Sequence, residues 1–132
     1  MIAVFDTNVL IAALVTEGLC SKLLHRARAG EFVLILCPFI MNELRRILTK
    51  KFRLSPEESD LAMETVNEAA GKIIEHDIRI VDICRDSDDD NILACTVAAG
   101  ADYLVTGDSD LLGIKNYLNI GIIRPRDFEA LF

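Results

Sequence analysis

The stretch RDSDDDNILACTVAAGADYLVTGDSD, residues 85–110, decides the reading of the chain. It holds seven aspartates, while residues 91–101 between them carry no charge. An acidic edge, an uncharged helix ended by Gly100, an apolar strand (YLVT) and a second acidic edge follow in order. That arrangement predicts a polar site assembled from both ends of a buried helix–strand pair. The question for the rest of the sequence is what else points at that site.

Upstream, residues 2–5 form a short apolar run that stops at Asp6, which predicts a buried strand with a carboxylate at its end. A short helix follows through VLIAALV. Ser21 is placed to cap a helix that Gly30 would end. FVLIL, residues 32–36, reads as a second strand. Pro38 opens a helix through residue 51 that sets Ile40, Leu44, Ile47 and Leu48 on one face. Glu43 falls at the edge of that stripe, where it is costly to bury unless it has a partner. A Glu43–Arg46 helical ion pair is the structural alternative.

Ser55-Pro56-Glu57-Glu58 carries the signs of a capping box. The helix it starts would bury Leu61, Thr65, Val66 and Ala69. Residues 78–81 read as a third strand, 103–106 as a fourth and 120–123 as a fifth, with Pro125 opening a last helix. Asp88 or Asp89 would cap the helix of the opening stretch, leaving Asp86 and Asp102 at the surface. Short apolar strands alternating with helices predict one three-layer α/β/α domain over residues 1–132, with a five-stranded parallel sheet.

With 132 residues and 52% hydrophobic content, the chain can bury a core and is too apolar for a disordered segment. Its longest uncharged runs, residues 32–42 and 91–101, are about half a membrane span. The N-terminal residues lack a basic signal-peptide region, so a cytoplasmic protein is expected. Four cysteines without Cys-x-x-Cys spacing read as reduced, packed thiols. Two histidines, neither paired with a cysteine at ligand spacing, exclude an ordinary zinc site. No nucleophile sits in an elbow motif. The net charge of −7 speaks against a simple nucleic-acid-binding module. Residues 45–53 (RRILTKKFR) nevertheless hold five basic residues and no acid.

In a parallel sheet, ligands bind beyond the carboxyl ends of the strands. Asp6, Glu43, Asp90 and Asp108 all fall there, at strand ends or early in the helices that follow. Helix caps and turns explain Asp88–Asp90, Asp108 and Asp110 singly, but not their gathering with Asp6 and Glu43 at one edge. Clustered carboxylates need a neutralising cation, and an oxygen-only donor set selects magnesium or manganese. Such a site suits phosphodiester hydrolysis, with Arg46 and Lys50 placed to meet neighbouring phosphates or simply to face solvent.

The motifs FDTNVL, ELRRIL, DDDNILACTVAAGA and YLVTGDSDL, in that order and spacing, resemble those of PIN (PilT N-terminus) domain nucleases. The resemblance covers nearly the whole chain and is closest to small PIN proteins classed as toxins of toxin–antitoxin pairs. It implies a magnesium- or manganese-dependent endoribonuclease acting on single-stranded RNA, an antitoxin partner and a homodimer. Carried over residue by residue, it puts Asp6, Glu43, Asp90 and Asp108 in the four acidic places. Asp110 is an accessory ligand, and Asn8 and Thr106 are supporting polar groups. The DDD run leaves Asp89 open as the third acid. A phosphorelay receiver domain would need paired acids after the first strand and a lysine after the last; Thr7 and IIRPRD stand there. A haloacid-dehalogenase-type phosphatase would need Asp at position 8, where Asn8 cannot act as its general acid. A catalytically silent PIN-like module that binds RNA or a protein partner is the remaining alternative.

Overall fold

A computed structural model describes residues 1–132. Helices flank a central, mostly parallel sheet, as the alternation of elements predicts. In chain order the elements are β1 (Ile2–Phe5), α1 (Thr7–Val15), α2 (Leu19–Arg28), β2 (Val33–Leu36), α3 (Pro38–Lys50) and α4 (Pro56–Ala69). They continue with β3 (Lys72–Ile73), α5 (Ser87–Ala98), β4 (Tyr103–Val105), α6 (Ser109–Ile114), β5 (Asn116–Tyr117), β6 (Ile120–Ile123) and α7 (Pro125–Glu129).

The sheet has six strands in the order β3-β2-β1-β4-β6-β5, not the five expected. β5 escapes a periodicity reading because it is only two residues long. It pairs antiparallel with β6 through a tight turn in which Leu118 and Asn119 both have positive φ, the backbone of a two-residue hairpin. All other pairings are parallel.

The third strand is also displaced. Residues 78–81 form no strand; Val81 is 70% exposed, and Asp82 follows with φ 57°. The chain instead joins the sheet as soon as α4 ends. Gly71 N donates to Leu34 O at 2.8 Å and Ile74 N to Leu36 O at 2.9 Å. The approach is close: a Cβ on Gly71 would lie 2.7 Å from Val33 Cγ1, and the valine side chain would have to shift to admit it. An apolar run marks a strand only when a sheet edge is within reach, and here the edge is taken six residues earlier, by Lys72–Ile73.

Helix starts follow local chemistry. Ser55 and Glu58 form the reciprocal capping box that opens α4. Its buried face is Ser59, Met63, Val66 and Ala69, whereas Leu61, expected inside, is exposed. α2 begins at Leu19 behind Gly18, ahead of the Ser21 cap expected. α5 begins at Ser87 with Asp86 as its cap, accepting from Asp88 N at 2.9 Å, so the capping role expected of Asp88 or Asp89 falls to Asp86.

The hydrophobic core is one cluster of 31 buried residues that includes β1, β2 and β4 side chains. Phe5, Phe32, Tyr103, Phe128 and Phe132 pack against one another at one side of it. There Arg26 donates to both Glu129 carboxylate oxygens, at 2.8 and 2.7 Å, and lies 4.8 Å over the Phe132 ring. This fastens α7 to α2. No single helix is long and apolar enough to cross a membrane.

Candidate metal centre at the switch point

The strand order reverses direction between β1 and β4, because the chain first builds outward through β2 and β3 and then returns to add β4 on the other side of β1. Ligand sites in open α/β sheets lie at such a point. Asp6 directly follows β1, and its N–H donates to Val105 O of β4 at 3.1 Å. Asp108 follows β4 and caps α6, accepting from Leu111 N at 2.9 Å. α3 brings Glu43 from the neighbouring β2 side, and the start of α5 brings three more acids.

These elements enclose a cavity of about 230 Å³ lined by Asp6, Thr7, Asn8, Glu43, Ile47, Asp86, Asp88, Asp89, Ile92, Asp108 and Asp110. Seven of the eleven residues are carboxylates, and none is basic. Arg85 stands exposed with its guanidinium 3.7 Å from Asp110.

Two threonines fix the innermost acids. The Thr106 hydroxyl donates to Asp6 Oδ2, while Asp6 Oδ1 accepts from Val9 N at 2.9 Å. Thr106 Oγ1 in turn accepts from Asp108 N at 3.0 Å, so one hydroxyl ties the two strand-end acids together. The Thr7 hydroxyl donates to Glu43 Oε1. That bond takes the place of the Glu43–Arg46 ion pair, which does not form. Thr7 was missed as a partner for Glu43 because the contact crosses 36 residues of sequence; the signal for it is a hydroxyl directly beside a strand-end carboxylate.

The electrostatics match the crowding. Burial pushes the Asp6 carboxyl above its usual range, and the neighbouring Asp108 and Glu43 push it further, against the lowering by Thr106 and Val9. Asp89 is pushed up to about 6, first by burial and then by Asp108, Asp86, Asp6 and Asp110.

The DDD run resolves in space. Asp89 lines the cavity. Asp90, expected as the third acid, is buried and does not line it; its Oδ1 accepts from Cys84 N at 2.8 Å. That bond anchors the irregular segment before α5, and burial, with Asp90 adding to it, holds the Cys84 thiol up at about 12. Asp86 and Asp88, expected at the surface or as a cap, also reach the cavity wall. Asn8 lines the cavity too. Arg46 and Lys50 lie exposed on α3, and Arg46 lines an adjoining cavity with Glu43 and Asp88.

The four cysteines are not all the reduced thiols that the sequence leads one to expect. Cys37, which caps α3, and Cys95 of α5 are joined as a disulfide with Cα atoms 6.2 Å apart, while Cys20 and Cys84 are free. The 58-residue separation gave no sequence signal for the pairing.

A family model described as PIN domain matches residues 3–110. The chain belongs to the PIN-domain family. No curated protein matches it in sequence. Its fold is similar to that in the crystal structure of VapBC2 from Rickettsia felis bound to a DNA fragment from their promoter. The TM-score is 0.59 at 14% identity, covering 94% of this chain and 98% of that one. At that identity the likeness carries the fold alone.

PIN nucleases as a class use divalent metal ions, and the donor set here fits one: carboxylate and hydroxyl oxygens, with no histidine and no cysteine facing the cavity. As the side chains stand, no three acids meet as a ready-made ligand group. They line the walls of one cavity.

Proposed function

We propose that this PIN domain is a magnesium- or manganese-dependent endoribonuclease that hydrolyses phosphodiester bonds of single-stranded RNA in the cytoplasm, as the toxin of a toxin–antitoxin pair. The observation that carries the reading is the cavity at the switch point, with seven carboxylates and no basic residue. Acids gathered this closely raise one another's pKa unless a cation neutralises them. Asp6, Glu43, Asp89 and Asp108 take the four acidic places, with Asp110 in support. Asp89 replaces Asp90 because the Asp90 carboxylate is committed to Cys84 N.

When bound, a magnesium or manganese ion supplies polarisation of the phosphate and a water nucleophile at neutral pH. The chain's own residues do the positioning. Thr106 and Val9 N hold both oxygens of Asp6, and Thr7 holds Glu43, so neither acid swings out of the cavity. Asn8, at the cavity wall, offers an amide to a substrate oxygen. Arg46 and Lys50, one helical turn apart on the exposed side of α3, meet the flanking phosphates. The toxin role, the antitoxin partner and a homodimer follow from the PIN resemblance.

A catalytically silent PIN module is the competing reading, favoured by the lack of three converging acids. Labelled single-stranded RNA incubated with magnesium, manganese or chelator, beside Asp6→Asn, separates the two. The nuclease reading expects cuts only in the wild type with metal. Equal cutting in every lane indicates a contaminant and sinks it. A manganese-induced rise in melting temperature without cutting supports the silent module instead.

A further inference from the structure

Beside the acidic cavity lies a second one of about 250 Å³, lined by Phe39, Asn42, Glu43, Arg46 and Asp88. It shares Glu43 and Asp88 with the acidic cavity. Any polymer whose phosphate sits among the acids therefore has its neighbouring residue within reach of this second hollow.

Its chemistry differs from that of a phosphate pocket. Two carboxylates outnumber the one guanidinium, so the hollow is not built to enclose a phosphate. What the lining does fit is a flat, neutral group with N–H donors at its edge. Phe39 supplies the apolar surface: it is half-buried, packing on the core while also lining the hollow. Unlike Phe5, Phe32, Phe128 and Phe132, it has no aromatic partner within the fold. Asn42, exposed one turn further along α3, offers an amide donor and acceptor, and Asp88 offers acceptors for ring or exocyclic N–H groups. Arg46 follows a turn later and Lys50 after it, all on one side of the helix. From residue 39 to residue 50 the track is about 16 Å long.

We propose that this hollow is a nucleobase subsite, in which Phe39 stacks the base next to the scissile phosphate while Asn42 and Asp88 read its edge. Arg46 and Lys50 then carry the backbone along α3. The proposal rests on the nuclease reading and names the part of the substrate that the acids leave unheld. Base stacking on aromatic side chains is the usual way proteins hold single strands without a duplex.

The test measures binding of fluorescein-labelled oligoadenylate, oligocytidylate and oligouridylate to the full chain by anisotropy. It is run with magnesium in the Asp6→Asn background, across a salt series. Phe39→Leu keeps an apolar side chain on the core and should fold, which its melting temperature verifies. It should weaken binding about tenfold, in the range of one lost stacking contact, with the slope against salt unchanged. Phe39→Trp should restore affinity. Arg46→Gln should instead reduce the salt slope by about one contact, and Leu118→Ala, an exposed residue of the β5–β6 turn, should change nothing. A folded Phe39→Leu that binds as tightly as its parent, or that loses salt dependence, overturns the subsite. If that happens while wild type still cuts RNA with metal, the nuclease reading stands and only the subsite falls. If wild type neither binds nor cuts RNA, both fall.

Discussion

Replacing Asp89 by asparagine should make the metal-free protein more stable, although it removes a native side chain. The folded chain holds the Asp89 proton up to about pH 6, against an ordinary value of 3.8. The unfolded chain releases it earlier. Folding therefore becomes less favourable as pH rises through that window, and the penalty is fully present at neutral pH. A shift of about two pK units corresponds to at most about 3 kcal/mol. Asp89 is only half-buried and solvent screens its neighbours, which brings the figure to the order of 1 kcal/mol. For a chain of this length that is a gain of about 4 °C in melting temperature. The assay is thermal unfolding of wild type and Asp89→Asn in chelator, from about pH 3 to about pH 8. The two curves should coincide below about pH 4, where both carry a neutral group, diverge through the window up to about pH 6, and stay apart above it with the variant higher. Added manganese should reverse the order, because the wild type gains a ligand-linked term that the variant loses. A variant equal to or less stable than wild type at neutral pH in chelator would show that the acids do not repel one another as argued.

The neighbouring residue should behave in the opposite manner. Asp90→Asn keeps an acceptor for Cys84 N and should preserve both RNA cutting and the manganese-induced rise in melting temperature. Asp90→Ala strands that N–H and should cost about 1–3 kcal/mol in thermal unfolding; loss of the manganese shift in Asp90→Asn, as in Asp6→Asn, would return Asp90 to the metal centre. At the far side of the molecule, hydrogen bonds from Arg26 hold the Glu129 carboxyl down at about 2 from an ordinary 4.5. The lowered value means a stabilisation present above about pH 4.5 and lost as pH falls toward about 2. Glu129→Gln should thus melt below wild type at neutral pH and converge with it in acid, and a constant gap across that range would contradict the ion-pair account.

What the sequence made legible depended on how local the cause was. β1, with Asp6 directly after it, and β6 are apolar runs with clear stops and lie at the residues expected. The Ser55–Glu58 capping box needs only four residues and forms as read. The gathering of Asp6, Glu43 and Asp108 around one cavity could be foreseen because parallel topology sends every strand-end residue to the same edge. The failures involve contacts set by the tertiary fold. Residues 78–81 have the composition of a strand, but Gly71 lets the chain meet β2 first. Asp89 and Asp90 differ by one residue and the sequence leaves both open; in the fold Asp89 lines the cavity while Asp90 accepts from Cys84 N. The Cys37–Cys95 bond and the Thr7–Glu43 contact join segments that no spacing rule connects.

The position of β4 has a consequence for the protein's synthesis. β1 is made first, yet its second neighbour in the sheet begins only at Tyr103. While a nascent chain ends short of that point, Asp6 has neither the Thr106 hydroxyl nor Asp108 beside it, and β6 has no strand to join. The acidic centre is therefore completed only once β4 and the residues just after it have been made. A chain stalled before Tyr103 holds most of the fold's residues and none of its finished site, so the acids cannot gather before the sheet itself is complete on both sides of β1.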